Sequence, residues 1–301
     1  MTLIKPFRQK LNTVGIIAKR EVKAQQAYLQ RVVQSLQHHH KKILFDTNTA
    51  PLYKKTGYNK TELLQKCDLV IVLGGDGTLL KTARRIGKKK TLVMAFNFGT
   101  LGFLTESSPE NIEEDLNKLF KNQYLIDKRS LLRVTHYRKN KKLDTCLALN
   151  DAVINQGSFA RLIELDVIIN QRRVTTFKAD GLIVSSPTGS TAHSLSAGGP
   201  IVHPSLPGII LSPICPATLS TRPIVIPNDR QIKISLIPPR YMDKEDIGLT
   251  IDGQENTPLK YGDDVKIRRS SRCFYLARVK GTGNYYGMLR EKLHWGELHG
   301  D

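Results

Sequence analysis

The stretch of this chain with the clearest chemical meaning is Gly74-Gly75-Asp76-Gly77-Thr78-Leu79-Leu80, directly after the apolar run DLVIVL at 68–73. A strand, a glycine turn and a helix start form a corner suited to phosphate. Glycine permits φ > 0 and lets the backbone approach a ligand, and amides at a helix start point at anionic oxygens. Gly74, Gly75, Gly77 and Thr78 are therefore the candidate phosphate loop. The corner is neither G-x-x-x-x-G-K-[ST] nor G-x-G-x-x-G. Asp76 is the odd residue, because an acid among phosphate-binding amides repels phosphate unless it has a task. Accepting the proton of an attacking hydroxyl is such a task. The competing reading is an N-cap for the helix that follows.

A second stretch, Asp180 to Pro200, runs from a strand into about a dozen small and hydroxylated residues (SSPTGSTAHSLSAGGP) with no charge except what His193 could take up. It offers many hydrogen bonds with little bulk, which suits a sugar, a phosphate or a base. Composition alone would read it as a surface loop, but the missing charge argues for partial burial. Three shorter signals accompany it. Asn97-Phe98-Gly99-Thr100-Leu101-Gly102-Phe103 follows a strand and could wall the same site. Asn150-Asp151 interrupts an apolar run and could bond ribose hydroxyls or simply turn the chain. Asp252-Gly253-Gln254-Glu255, read alone, is a hairpin turn. His38-His39-His40 is not read as a metal site, since three adjacent His cannot face one ion on a helix. His193 is better placed for stacking or hydrogen bonding than for general base work.

The elements that must hold these residues fall into two groups. Over the first ~125 residues, apolar runs at 13–19, 41–46, 68–73 and 91–97 alternate with helical stretches at 21–37 and 108–122. In the first helix Ala27, Leu29, Val32, Val33 and Leu36 share a face; in the second Ser108 is the N-cap and Pro109 follows it. Such alternation predicts an α/β domain with a parallel sheet. From about residue 128 the pattern becomes short strand-like runs: SLLRVTHYR, CLALNDAVI, IELDVIIN, RRVTTFKADGLIVSS, RPIVIP, QIKISLI, GLTIDGQ, DDVKIRRS and CFYLARV. They predict a β-rich domain, layered or sandwich-like. The division expected is 1–125 and 126–283, with a helix from 284 that packs back on the first domain.

Composition narrows the classes. The 301 residues carry 46 Lys and Arg against 27 Asp and Glu, a net charge of +19. Polyanions are attracted to such a chain; nucleic acids, dinucleotides and ATP all qualify, but no nucleic-acid signature accompanies the charge, and the plainer reading of each basic cluster is a solvated surface. No run approaches the roughly 18 to 20 apolar residues of a membrane helix, and the first residues have no secretory apolar core. Cys67, Cys146, Cys215 and Cys273 lie far apart with no C-x-x-C, which argues against disulfides or zinc. A cytoplasmic protein without membrane association is expected.

Taken together, GGDGT at 74–78, NFGTLGFL at 97–104, ND at 150–151, DGLIVSSPTGSTAHSLSAGGPIVHP at 180–204 and DGQ at 252–254 resemble the NAD kinase family, in the family's order. STRPIVIP at 220–227 and KLHW at 292–295 extend the likeness over nearly the whole chain. GGDGT alone is shared with lipid kinases and phosphofructokinases; its combination with the TGSTA…SAGGP segment is far more specific. The resemblance implies phosphorylation of the 2′-hydroxyl of the adenosine ribose of NAD, with ATP or polyphosphate as donor. It implies a divalent ion such as Mg²⁺ that is bound with ATP rather than held permanently by the chain. It also implies a homodimer or homotetramer with the NAD site near a subunit contact. Asp76 matches the catalytic acid/base. Gly77 and Lys81 match positions beside the dinucleotide, and Asn150 and Asp151 the pair that holds it. Arg161, Lys178 and Asp180 match ligand contacts, Thr191, Ala192, His193, Ser194, Leu195 and Ser196 a binding stretch, and Gln254 the late glutamine. The family often has Tyr where this chain has His193, which adds a titratable ring. The alternatives are a lipid or sugar kinase sharing only the GGDGT loop and a non-catalytic binder of dinucleotide or nucleic acid.

Overall fold

A computed structural model describes residues 3–7, 10–18, 26–98, 102–105, 107–157, 162–239, 246–279 and 285–294. The chain divides into two compact units, one made of 1–128 with 274–301 and the other of 129–273. The division points fall inside two long strands, Tyr124–Arg138 and Asp263–Val279.

The first unit is built on parallel strands. In sheet order they are Gly57–Tyr58, Lys42–Asp46, Thr13–Ala18, Leu69–Leu73 and Leu92–Phe96, and the end of Asp263–Val279 adds a further parallel strand at Leu92. Leu69–Leu73 and Leu92–Phe96 are buried at every residue, as strands covered on both faces are. Helix Gln26–His38 buries Leu29, Val32, Val33 and Leu36; Ala27, expected on the same face, is exposed. Helix Lys60–Lys66 starts from a capping box in which Asn59 and Glu62 satisfy each other's amides. Ser108 and Pro109 do open a helical segment, as a 3₁₀ turn Pro109–Asn111 leading into helix Ile112–Phe120. Arg31 ties that segment to Gln26–His38, donating to Glu113 Oε1 at 2.7 Å and to the carbonyls of Pro109 and Glu110.

From Thr13–Ala18 the sheet grows first through Lys42–Asp46 and then, on the other side, through Leu69–Leu73. The strand order therefore reverses between Thr13–Ala18 and Leu69–Leu73. In open α/β sheets ligands bind beyond the carboxyl ends of the strands at such a reversal. The GGDGT corner leaves the carboxyl end of Leu69–Leu73.

The second unit is an antiparallel sandwich. One sheet has six strands in the order Ile224–Pro227, Gly208–Ile214, Gly181–Ser185, Asp151–Gln156, Ile247–Ile251 and Glu255–Leu259. The other includes Arg172–Ala179, Ile163–Ile169, Ile232–Ile237 and the first part of Asp263–Val279; Lys141–Ala148 pairs with Tyr124–Arg138. A shared core is formed by Val134, Leu165, Val184, Leu211, Ile234, Leu249 and their neighbours. Two sequence expectations are corrected here. CLALNDAVI and RRVTTFKADGLIVSS are not single strands: each breaks at Asn150 or Asp180, and its halves enter different sheets. Conversely, DDVKIRRS and CFYLARV join into one strand of 17 residues. Period-two patterning marks a half-buried strand but does not tell which sheet it enters.

Candidate functional site

In the first unit the site grows from Leu73. Gly74 adopts φ +149, and a Cβ there would lie 2.9 Å from the Thr78 hydroxyl. Its amide donates to the Phe96 carbonyl at 3.0 Å, which pins the turn to the neighbouring strand. Gly75, not Asp76, is the N-cap of helix Asp76–Ala83, and it makes no side-chain cap bond. The N-cap reading of Asp76 is thereby corrected: its carboxylate is not spent on the helix start. The Thr105 hydroxyl instead donates to Asp76 Oδ1 at 3.0 Å. Asp76 is half-buried, while Gly77 and Lys81 on the same helix are exposed.

Gly102 completes this setting. A Cβ at Gly102 would fall 2.2 to 2.4 Å from the three carboxyl atoms of Asp76. Only a glycine lets the backbone pass that carboxylate. The NFGTLGFL segment thus touches the acid through Gly102, and Thr105 follows just after it. Gly99, Thr100 and Leu101 lie outside the described residues. Thr105 was missed in the sequence, where nothing distinguishes it from any other loop threonine.

In the second unit Asn150 and Asp151 lie where the chain passes from one sheet to the other. Asp252 holds that crossing: its Oδ1 accepts from the amides of Asn150 at 2.8 Å and Asp151 at 3.2 Å, and its Oδ2 from Leu149 at 3.2 Å. Asp252 and Gly253 both take left-handed φ, +50 and +64, so the DGQ segment is a hairpin turn and a clamp at once. Gln254 belongs to that turn, its amide donating to Ile251 at 3.0 Å. The carbonyl of Asn150 accepts from the Ser186 amide at 2.8 Å and the Ser185 hydroxyl at 3.2 Å. Gly189 packs so closely that a Cβ would lie 2.3 Å from that carbonyl oxygen. Asn150 Oδ1 is buried and has no hydrogen-bond partner among the described residues. Burial, with the charge of Asp252 beside it, pushes the Asp151 carboxyl up from 3.8 to about 7.

The long small-residue segment is buried without a break from 181 to 190, as its lack of charge suggested. Arg129, only 2% exposed, donates to the Thr188 hydroxyl at 3.3 Å; no sequence signal pointed to it. Thr191 ends a 3₁₀ turn, and His193–Ser196 forms one short helical turn. Within it Ser194 is buried and shares a 2.9 Å hydrogen bond with Ser212, while His193 and Ser196 are exposed and Ala192 and Leu195 half-buried. Asp180 accepts from Gln156 Nε2 at 3.1 Å. Lys178 is exposed, 3.7 Å from Glu164 across the strand pair. Arg161 lies outside the described residues. No group of three or more His, Cys, Asp or Glu able to hold a metal is found among the described residues.

Comparison with known proteins gives a consistent result. Residues 14–124 match the model of the ATP-NAD kinase N-terminal domain, and residues 149–279 that of the ATP-NAD kinase C-terminal domain. The chain is 40% identical over 289 residues to an NAD kinase of Solibacter usitatus, covering 95% of this chain and 99% of that one. It is 44% identical over 238 residues to an NAD kinase of Geotalea daltonii, covering 79% and 82%. Among solved structures, yeast NADH kinase complexed with NADH superposes with a TM-score of 0.88 at 24% identity, covering 98% of this chain and 94% of that one. An NAD kinase from Archaeoglobus fulgidus in complex with ATP gives a TM-score of 0.73 at 23% identity, covering 94% and 98%. At those identities the two structures speak for the fold.

Proposed function

The chain belongs to the NAD kinase family, and on that premise we propose which of its residues carry the reaction. The enzyme transfers a phosphoryl group from ATP to the 2′-hydroxyl of the adenosine ribose of NAD, giving NADP. A lipid or sugar kinase sharing only the GGDGT loop is not favoured, because the family match runs on through residue 279.

Asp76 is the proposed catalytic residue. The observation that carries this is its carboxylate, freed from capping, oriented by Thr105 and given room by Gly102 beyond the carboxyl end of Leu69–Leu73. Phosphoryl transfer needs mainly positioning and charge neutralisation. Asp76 would orient the ribose hydroxyl and take its proton as the bond to phosphorus forms. Gly74, Gly75, Gly77 and Thr78 would face phosphate. Asn150 Oδ1, a buried acceptor, suits a hydroxyl or amino group of the adenosine. Asp151, Asp180, Lys178, Arg161, Gln254 and the stretch Thr191 to Ser196 complete the proposed binding set, with Lys81 beside Gly77.

A carboxylate at a phosphate corner suits a divalent ion that arrives on the phosphates of ATP. Mg²⁺ bound there would neutralise phosphate charge. Homo-oligomerisation is also part of the proposal: the six-stranded sheet ends on the edge strand Ile224–Pro227, where Val225 is 48% exposed, and the turn before it leaves Leu219 88% exposed. Light scattering on the purified protein tests it. A cytoplasmic setting is proposed from the four free cysteines. No helix among the described residues is long and apolar enough to cross a membrane.

The test is a coupled assay with NAD, ATP and Mg²⁺, read with an NADP-specific dehydrogenase. NADP formation that disappears in Asp76→Asn supports the assignment. Near-normal turnover by folded Asp76→Asn removes Asp76 from the catalytic role.

A further inference from the structure

The second unit carries a concentration of positive charge that the proposed reaction does not use. In the sheet opposite the six-stranded one, Ile234, Val265 and Ile267 point into the sandwich core. Alternation along each strand sends Lys233, Lys266 and Arg268 to the other face. There they line a cavity of about 630 Å³ together with Arg133 and Lys142. Among the described residues the lining contains five cationic side chains and no Asp or Glu.

The strand register makes this crowding costly. Lys233 and Lys266 are direct cross-strand partners, an arrangement that like charges disfavour. Tyr137 stands opposite Lys142, and Lys266 Nζ lies 4.5 Å from the centre of the Tyr137 ring. Lys233 is partly relieved by Asp264, which it meets at 3.1 Å, and by the nearby charge of Asp166. Among the described residues no ion pair engages Arg133, Lys142, Lys266 or Arg268. The rim is fixed as well. At the hairpin turn Asn170–Gln171 both residues take left-handed φ. The Asn170 amide donates to the Gln231 carbonyl at 3.0 Å, and the Gln231 amide donates back to Asn170 Oδ1 at 2.9 Å.

We propose that this cavity is a second anion site, separate from the GGDGT corner, that takes a linear chain of three or more phosphate groups. Its volume lies in the range of small-ligand sites. Acid-free cationic walls raise the local anion concentration, and two arginines supply planar donor pairs for phosphate oxygens. A half-open cavity bounded on one side by a hairpin turn suits a short chain better than an extended nucleic acid strand. The phosphate chain could belong to a nucleoside triphosphate or be inorganic polyphosphate, and the two sources share this chemistry.

The experiment is isothermal titration of the full chain at low salt with sodium tripolyphosphate. Three proteins are compared: wild type, Lys266→Gln/Arg268→Gln, and Lys88→Gln/Lys90→Gln, which removes two charges from the first unit instead. The proposal expects a class of binding that weakens at least tenfold in the first variant and is unchanged in the second, while NADP formation without added tripolyphosphate stays at the wild-type rate in both. Displacement of that class by ATP assigns it to the nucleotide tail; persistence in the presence of ATP assigns it to the inorganic chain. Identical isotherms in wild type and the Lys266→Gln/Arg268→Gln variant, or equal weakening in both variants, would overturn the site.

Discussion

Two Asp-Gly pairs, Asp76-Gly77 and Asp252-Gly253, look alike in the sequence and end in opposite circumstances. Asp252 is buried, and its two oxygens accept three backbone amides. Its charge is consumed in holding the crossing from Leu149 to Asp151. Asp76 is half-buried, its helix is capped elsewhere, and among the described residues one threonine hydroxyl orients it. One carboxylate is structural because the backbone has claimed it. The other is available because a neighbouring glycine keeps the backbone near without bonding to it.

Replacing each acid should break the likeness cleanly. Asp76→Asn keeps size and the Thr105 contact, so it should fold like wild type while NADP formation falls by roughly 10²–10⁴, the range for a positioned general base. Rate assays and a thermal melt on the same preparation check both halves. Asp252→Ala should do the reverse in kind: with three amides left facing a void, unfolding free energy should fall by about 3 kcal/mol. Urea denaturation measures it. If Asp252→Ala unfolds like wild type, the clamp is not what holds the crossing.

The next effect is smaller and tests whether space, not charge, sets Asp76. Gly102→Ala places a methyl group within 2.2 to 2.4 Å of the Asp76 carboxyl atoms, so the carboxylate must move. Because misplacement by about an ångström can cost as much as 10² in rate, turnover should drop roughly 10- to 100-fold. Stability should change far less. An alanine enzyme with wild-type turnover would mean that the carboxylate tolerates displacement.

Much of this was legible in the sequence, and the parts that were not share a cause. The strands 13–18, 69–73 and 92–96 stand out because they are short, apolar and ended by turn residues. The GGDGT corner is legible because glycines and an acid in that order have few other uses. Thr105 and Arg129 were invisible, since each acts through a contact with a residue 29 or 59 positions away. The breaks at Asn150 and Asp180 were hidden for a related reason: a polar residue inside an apolar run can be a solvent-facing strand residue or a sheet crossing. For Asn150 that choice is made by Asp252, about a hundred residues on.

The finest test of the comparison uses the acid next to the clamp. Asp151 is buried, and burial with the adjacent charge of Asp252 lifts its carboxyl from 3.8 to about 7. Between those values the unfolded chain has released this proton and the folded chain still holds it. Stability contributed by Asp151 is therefore present in acid and is lost as pH rises toward 7, by up to about 1.4 kcal/mol per pH unit. Asp263 acts the other way. Although burial opposes it, bonds from Arg138, the Lys260 amide and His136 hold its carboxyl below the usual range. Its contribution is present above that range and is lost as pH falls. Asp151→Asn should consequently flatten the decline of wild-type stability between about pH 4 and 7 and leave the acid limb set by Asp263 in place. Urea midpoints at pH 5, 6, 7 and 8 for the two proteins decide it. Parallel curves would mean that Asp151 ionises as an ordinary surface carboxylate does, and that the charge of Asp252 is not felt across the crossing it holds.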